Sequence, residues 1–154
     1  MFLKVNVVFV LLFLLTIGSV HAKKTEESFL TLKFNEVNAR TGPSSEFPVI
    51  LTYKTLFLPV KIIAEYDNWY KIVDMEGDSG WVMKHLLSNY RTIITVEETV
   101  VYSNYHEKAY QKYKVERGVI LKLVKCKGKR CKVSIMNGNK KDSGWLDKES
   151  IWGA

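Results

Sequence analysis

The tetrapeptide Asp78-Ser79-Gly80-Trp81 recurs unchanged as Asp142-Ser143-Gly144-Trp145 later in the same chain. The residue types after each copy also match, with an aliphatic side chain first and a lysine two positions further on. A shared tetrapeptide with matching flanks indicates an internal duplication. We therefore predict two related modules, residues 23–90 and residues 91–154.

Short strands separated by turns account for the sequence around the first copy. Residues 60–64 place apolar side chains at every second position, which is the period of a half-buried strand. The segments 67–68 and 76–78 consist of residues typical of turns. Residues 41–58 show no clear period and are predicted to be irregular. Because no segment has a sustained helical period, we predict an all-β fold.

The first 22 residues have the pattern of a secretory signal peptide. Lys4 supplies a positive charge, residues 5–17 are nearly all apolar, and the small residues Val20 and Ala22 fit a cleavage site after Ala22. The alternative is an uncleaved membrane anchor, but the apolar run is shorter than the roughly 20 residues that span a bilayer. We expect a periplasmic or secreted protein with no transmembrane anchor after signal cleavage.

Both cysteines of the chain, Cys126 and Cys131, lie in one short lysine-rich stretch with Gly128 between them. Nearby cysteines of an exported protein usually pair, because the compartment is oxidising. We predict a disulfide between them across a hairpin loop. The alternatives, a metal site or a catalytic thiol, would call for a nearby histidine or a partner base.

Basic residues outnumber acidic ones, 23 to 16, and give a formal net charge of +7 at pH 7. Of the basic residues 19 are lysines and 4 are arginines, whereas nucleic-acid sites favour the arginine fork, so we expect no nucleic-acid partner. The densest positive run is a candidate basic surface for an anionic polymer, lipid headgroups or an acidic partner. An ordinary solvated loop is the alternative. The members of the run are Lys125, Lys127, Lys129, Arg130 and Lys132.

Four segments of the first module share their residue types and spacing with one known family. They are residues 37–44, 68–72, 76–82 and 86–88. Together they resemble the motifs of the bacterial SH3 domain, and the resemblance weakens in the second module. It implies two tandem small SH3-like β-barrels, as in exported tandem-SH3 proteins of Gram-negative bacteria.

Nothing in the sequence arranges residues for catalysis. His85 and His106 fall in different modules, and His21 falls in the signal peptide. The chain has no phosphate-binding loop, no His-Glu-x-x-His motif and no Cys-x-x-Cys pair. The resemblance implies that a peptidase activity would reside in a separate domain. We therefore expect a protein that is not an enzyme and that uses no cofactor or metal.

Trp69 is the candidate centre of a ligand site. If Ile72 faces the core, strand alternation places Trp69 on the opposite side, where a large apolar ring is available for contact. The resemblance agrees, since the equivalent tryptophan lines the peptide groove of eukaryotic SH3 domains. The alternative is that Trp69 packs beneath the loop at 41–58. The flanking candidates are Arg40, Tyr66, Asp67 and Asn68.

The resemblance also aligns Met83 and Leu86 with the proline and tyrosine of the eukaryotic groove, so a polyproline ligand is not expected. We expect instead that the protein recognises peptidoglycan or its stem peptides. A rival interpretation is an adaptor that binds an envelope enzyme or a host protein. A third is a hydrolase whose residues the sequence does not reveal.

Overall fold

Two antiparallel sheets follow one another along the chain. The computed structural model describes residues 28–137 and 140–154, and the predicted signal peptide at 1–22 lies outside the described residues. Within the described ranges the chain forms strands and two 3-10 turns but no α-helix, so the all-β prediction is confirmed. No helical segment of these ranges is long and apolar enough to cross a bilayer.

The first sheet, which we call the first barrel, has strand order β3-β2-β6-β5-β4-β1-β7. Its buried side chains include Leu32, Val37, Val60, Ile72 and Val82, one or more from each of five strands. A 3-10 turn at Lys84–Leu86 precedes the last strand. The strands are β1 (Ser28–Leu32), β2 (Val37–Arg40), β3 (Val49–Tyr53), β4 (Pro59–Tyr66), β5 (Trp69–Val73), β6 (Ser79–Met83) and β7 (Leu87–Ser88).

The second sheet, the second barrel, repeats this order strand for strand as β10-β9-β13-β12-β11-β8-β14. Its core contains Ile93, Val101, Leu121, Val133 and Leu146. The equivalence confirms the prediction of two tandem small barrels. The strands are β8 (Thr92–Thr95), β9 (Thr99–Tyr102), β10 (Gln111–Val115), β11 (Ile120–Lys127), β12 (Arg130–Asn137), β13 (Lys140–Asp147) and β14 (Ile151–Trp152).

The prediction of an irregular segment at 41–58 is wrong in part, because β3 (Val49–Tyr53) lies within it. This strand is at the edge of the sheet and pairs with β2 alone. Val49 and Ile50 are both exposed, so the strand does not show the alternation of a half-buried strand. Its residue types favour a strand, and its pairing with β2 holds it extended, although its apolar period does not reveal it.

The repeated tetrapeptide keeps its glycine because two strands approach closely there. A Cβ on Gly80 would lie 2.8 Å from Cβ of Ala39, and a Cβ on Gly144 would lie 2.1 Å from Cγ1 of Val101. Both glycines therefore sit where β6 and β13 pass the buried residue of β2 and β9. The glycine of the repeat is thus a packing requirement of the fold.

Cys126 and Cys131 form a disulfide, as predicted. The two residues lie directly opposite each other in the β11–β12 hairpin. Gly128 begins the two-residue turn with a φ of 58°, a left-handed conformation that glycine adopts without strain. Cys131 is fully buried in the core of the second barrel, whereas Cys126 is exposed.

The two barrels are in direct contact. The Thr92 hydroxyl donates to the carbonyl of Phe57 at 2.7 Å and lies 3.1 Å from the hydroxyl of Thr31. The rings of Phe29 and Trp152 meet edge to face, with centroids 5.3 Å apart. These buried and half-buried contacts join β1 and the segment before β4 to β8 and β14.

Candidate ligand-binding cleft

A cleft of about 190 Å³ opens on the first barrel beside Trp69. Trp69 begins β5, and its partner across the strand pair is Met83, the last residue of β6. Because Trp69 is not a member of the apolar core cluster, whereas Tyr70 packs against that cluster, the two side chains face opposite sides of β5. The lining residues are Glu36, Asn38, Arg40, Ser45, Trp69, Met83 and Leu86.

The tryptophan is more enclosed than a flat exposed platform would be, with 7% of its surface exposed. The loop after β2 folds back over this side of the barrel, and its Ser45 reaches the cleft. Arg40 holds the loop by donating a hydrogen bond of 2.7 Å to the carbonyl of Phe47. A ligand would therefore meet only the small exposed part of Trp69, in a cleft that Met83 and the loop residue Ser45 also line.

Of the predicted site residues, the structure brings Trp69 and Arg40 together in this cleft. Tyr66, Asp67 and Asn68 do not line it. They lie beside it in the β4–β5 turn, where Tyr66 pairs with Trp69 and is 62% exposed. Asp67 takes a left-handed φ of 47°, the same turn position that Gly128 holds in the second barrel.

The sequence analysis missed Glu36, Asn38 and Ser45. A signal for Asn38 was present, because Val37 and Ala39 are buried and alternation places Asn38 on the side opposite the core. Ser45 had no such signal, since its position depends on how the loop folds. The cleft thus combines three apolar side chains with an amide, a carboxylate, a hydroxyl and a guanidinium.

Lys84 follows Met83 in the chain but is not among the residues that line the cleft. The ammonium of Lys84 forms an ion pair with Glu65 and lies 4.8 Å from the centroid of the Tyr70 ring. The hydrogen bond with Glu65 raises the pKa of Lys84 above its usual value. Lys84 therefore remains charged and is held in place by its neighbours.

The equivalent cleft of the second barrel is lined by four acidic side chains, whereas the Trp69 cleft has three apolar ones. Arg130 occupies the position of Trp69, and its partner Asp147 occupies that of Met83. The Arg130 Nε donates to Asp147 at 2.8 Å, and its Cζ lies 3.5 Å from the centroid of the Tyr102 ring. Three glutamates, Glu97, Glu98 and Glu149, line this cleft together with Asp147.

The predicted basic surface is divided in the structure. Arg130 is not part of the exposed basic surface. Its side chain is only 12% exposed, and its guanidinium forms an ion pair with Asp147 and donates to the carbonyl of His106. Lys127 donates to the Tyr105 hydroxyl at 2.7 Å at the side of the hairpin. Lys132 lies instead on the sheet face, in a groove described below. Lys125 and Lys129 are exposed near the hairpin end.

The comparison with known families gives two matches on this chain. Residues 33–89 and residues 95–153 each match the bacterial SH3 domain. The chain belongs to the bacterial SH3 domain family. The resemblance inferred from the first module is confirmed, and the second match shows that the divergent module with Arg130 is also a bacterial SH3 domain.

Two solved structures are similar to this tandem bacterial SH3 protein. One is an NlpC/P60 family protein from Bacillus cereus ATCC 10987, with 15% identity and a TM-score of 0.36 over 81% of this chain and 56% of that one. The other is NlpC2 from Trichomonas vaginalis, with 14% identity and a TM-score of 0.35 over 82% of this chain and 48% of that one. The chain spans about half the length of each. No curated protein sequence matches it.

No metal-binding arrangement is present in residues 28–137 and 140–154, where no three His, Cys, Asp or Glu side chains gather suitably. His85 is exposed in the first barrel, and His106 stacks on Tyr105 in the second, with ring centroids 3.9 Å apart. The side chains that line the Trp69 cleft of this bacterial SH3 protein can contact a ligand through aromatic and thioether surface and through charged and amide groups.

Proposed function

We propose that this protein is a non-catalytic module that binds peptidoglycan or its stem peptides in the periplasm or outside the cell. Bacterial SH3 domains are binding modules, often for the cell wall, and are typically extracellular or periplasmic. The Trp69 cleft is the observation that carries the proposal for this chain. It joins an apolar floor to both signs of charge within one small opening.

The chemistry of a stem peptide suits this cleft. Such a peptide carries methyl groups, amides and carboxylates on a short chain, and one small site must contact all three. Met83 and the exposed part of Trp69 supply apolar surface, and Arg40 supplies a cation. Asn38 supplies the N–H donors of its amide, whose Oδ1 accepts from the Thr52 hydroxyl at 2.7 Å. The Arg40 guanidinium donates to Phe47 through Nη1, and its other N–H groups form no hydrogen bond with any residue that the structure describes.

Titration calorimetry with purified muropeptides and stem peptides tests this function. We expect saturable binding that Asn38→Ala weakens, because this exposed side chain can be removed without opening the core. Asn89→Ala, at an exposed residue outside the cleft, is the matched control. Isotherms that stay flat to millimolar ligand would contradict binding of small wall fragments.

One observation favours the adaptor as a second candidate. The edge strand β3 exposes Val49 and Ile50, and an exposed apolar edge is a place where a partner chain can add a strand. Crosslinking in cells separates the two functions. A single dominant protein partner, lost in Ile50→Lys, would favour the adaptor. Crosslinks to wall material alone would favour the wall-binding function.

A further inference from the structure

A groove runs along the second barrel where it meets the first. It consists of two adjoining clefts of about 520 Å³ and 450 Å³. Both clefts are lined by Lys122, Ser134 and Lys141, so they form one continuous depression, which we call the junction groove. It shares no residue with the Trp69 cleft.

The first barrel and the linker supply one wall of the junction groove. Phe57 and Tyr90 line it, with 42% and 41% of their surfaces exposed and ring centroids 5.3 Å apart. The second barrel alone would have a shallower face here, because these two rings come from outside it. The larger cleft of the groove therefore depends on the contact between the barrels, whereas the smaller cleft is lined by the second barrel alone.

Phe57 is held in a conformation that bulky residues rarely adopt, with a φ of 61°. Two hydrogen bonds fix it: its N–H donates to the carbonyl of Leu32 at 3.1 Å, and its carbonyl accepts from Thr92 at 2.7 Å. Backbone strain of this kind tends to persist where function requires it. Here it directs an exposed aromatic ring into the groove.

The floor is the outer face of three adjacent strands. Lys122 of β11, Ser134 of β12 and Ser143 of β13 lie in one row, each paired with the next across the sheet. Lys132 and Lys141 lie on the same face, and both line the groove. Three ammonium groups thus line one groove, interspersed with hydroxyl groups.

The charge of this floor is positive after its one carboxylate is counted. Asp142 lines the far end, but it is neutralised by the Lys112 ammonium at 2.6 Å and also accepts from the Tyr113 hydroxyl at 2.9 Å. Lys122 lies 5.0 Å from the centroid of the Tyr90 ring. Lys132 and Lys141 form no ion pair with any residue that the structure describes.

We propose that the junction groove binds an acidic peptide in an extended conformation, with its carboxylates on Lys122, Lys132 and Lys141. Aliphatic side chains of the peptide would pack on the apolar lining, which includes Ile120, Val124 and Ile135. Lysine ammonium groups are point charges without the planar fork of arginine, and they suit separate carboxylates spaced along a chain. This second site goes beyond the wall-binding function and does not depend on Trp69.

Fluorescence anisotropy with a labelled peptide of alternating Glu and Val tests the proposal, beside the same peptide with Gln for Glu. The acidic peptide binds, and the neutral peptide does not. Lys122→Gln weakens binding about fivefold, the cost of one partly exposed ion pair. Lys122→Gln/Lys141→Gln weakens it about 25-fold if the two contacts add. Tyr90→Ala also weakens binding, without changing the charge.

Two control variants keep the result specific. Lys129→Gln removes an equal charge from the exposed hairpin end and leaves binding unchanged. Trp69→Phe also leaves it unchanged, whatever becomes of wall binding. Equal losses for Lys129→Gln and Lys122→Gln would overturn the proposal in favour of a general polycation. Phosphatidylglycerol vesicles that bind as tightly, with the same dependence on Lys122 and Lys141, would overturn the choice of a peptide.

Discussion

Trp69 and Arg130 hold the same position in the two barrels. Each begins the fifth strand of its barrel and pairs with the last residue of the sixth, which is Met83 for Trp69 and Asp147 for Arg130. Trp69 and Met83 both line the first cleft, whereas Arg130 and Asp147 form an ion pair of which only Asp147 lines the second cleft. The duplication has therefore produced two clefts of different chemistry, and our wall-binding proposal concerns the first.

Removing the Arg130 side chain is expected to destabilise the second barrel and to leave wall binding intact. Arg130→Ala deletes a half-buried ion pair and a hydrogen bond to His106, at a cost of about 1–2 kcal/mol in the free energy of unfolding. Urea unfolding followed by tryptophan fluorescence measures this change. Lys129→Ala, beside it in the sequence and exposed, should be close to neutral. A loss of wall binding in folded Arg130→Ala would refute the assignment to the first barrel.

A second prediction concerns the effect on stability of replacing the glycine of the repeated tetrapeptide. Gly144→Ala should lower the free energy of unfolding by about 1–3 kcal/mol, because the new methyl group overlaps Val101. The loss should be smaller when Val101 is already alanine, the residue that β2 has at this position. A double-mutant cycle by urea unfolding gives the coupling. Equal costs in both backgrounds would mean that Val101 is not the obstacle.

Much of the fold could be predicted from the sequence because the signals for it are local. The repeated tetrapeptide, the turn at 67–68 and the spacing of Cys126 and Cys131 each depend on residues close together in sequence. The residues of the candidate site were harder to predict from the sequence. Arg130 looks like part of a positive run, and only the fold brings Asp147 and Tyr102 against it. The enclosure of Trp69 likewise depends on a distant loop.

The different burial of the two cysteines predicts different reactivity after reduction. Cys126 is exposed and should react rapidly with iodoacetamide, whereas Cys131, buried in the core, should react only as the barrel opens. Peptide mass spectrometry of timed samples measures the two rates. Similar rates for both thiols would show that the disulfide, rather than the core, keeps Cys131 buried.

The hydrogen-bond partners of Asp142 predict that its carboxyl group titrates at an unusually low pH. Hydrogen bonds from Lys112, the Ser143 N–H and Tyr113 lower the pKa of Asp142 from 3.8 to about 2. Since the folded state favours the charged carboxylate, this group stabilises the fold fully above pH 3.8, and the stabilisation is lost as the pH falls through about 2. NMR titration of the Asp142 carboxyl carbon measures the midpoint.

Lys112→Ala should move the Asp142 midpoint back towards the ordinary value, because it removes the largest contribution to the lowered pKa. Lys108→Ala, at an exposed lysine before β10, serves as the control and should leave the midpoint unchanged. An unchanged midpoint in Lys112→Ala would mean that the two side chains are not paired in solution.

Sedimentation of the protein with purified bacterial sacculi, over a series of salt concentrations, tests the central claim most directly. The proteins compared are the unaltered chain, Trp69→Ala, Trp69→Phe as a variant that keeps an aromatic ring, and Lys129→Gln. We predict binding that persists at high salt, where surface attraction is screened, that Trp69→Ala loses and that Trp69→Phe largely keeps. Binding that fades with salt and is the same in folded Trp69→Ala would contradict a specific site in the first barrel.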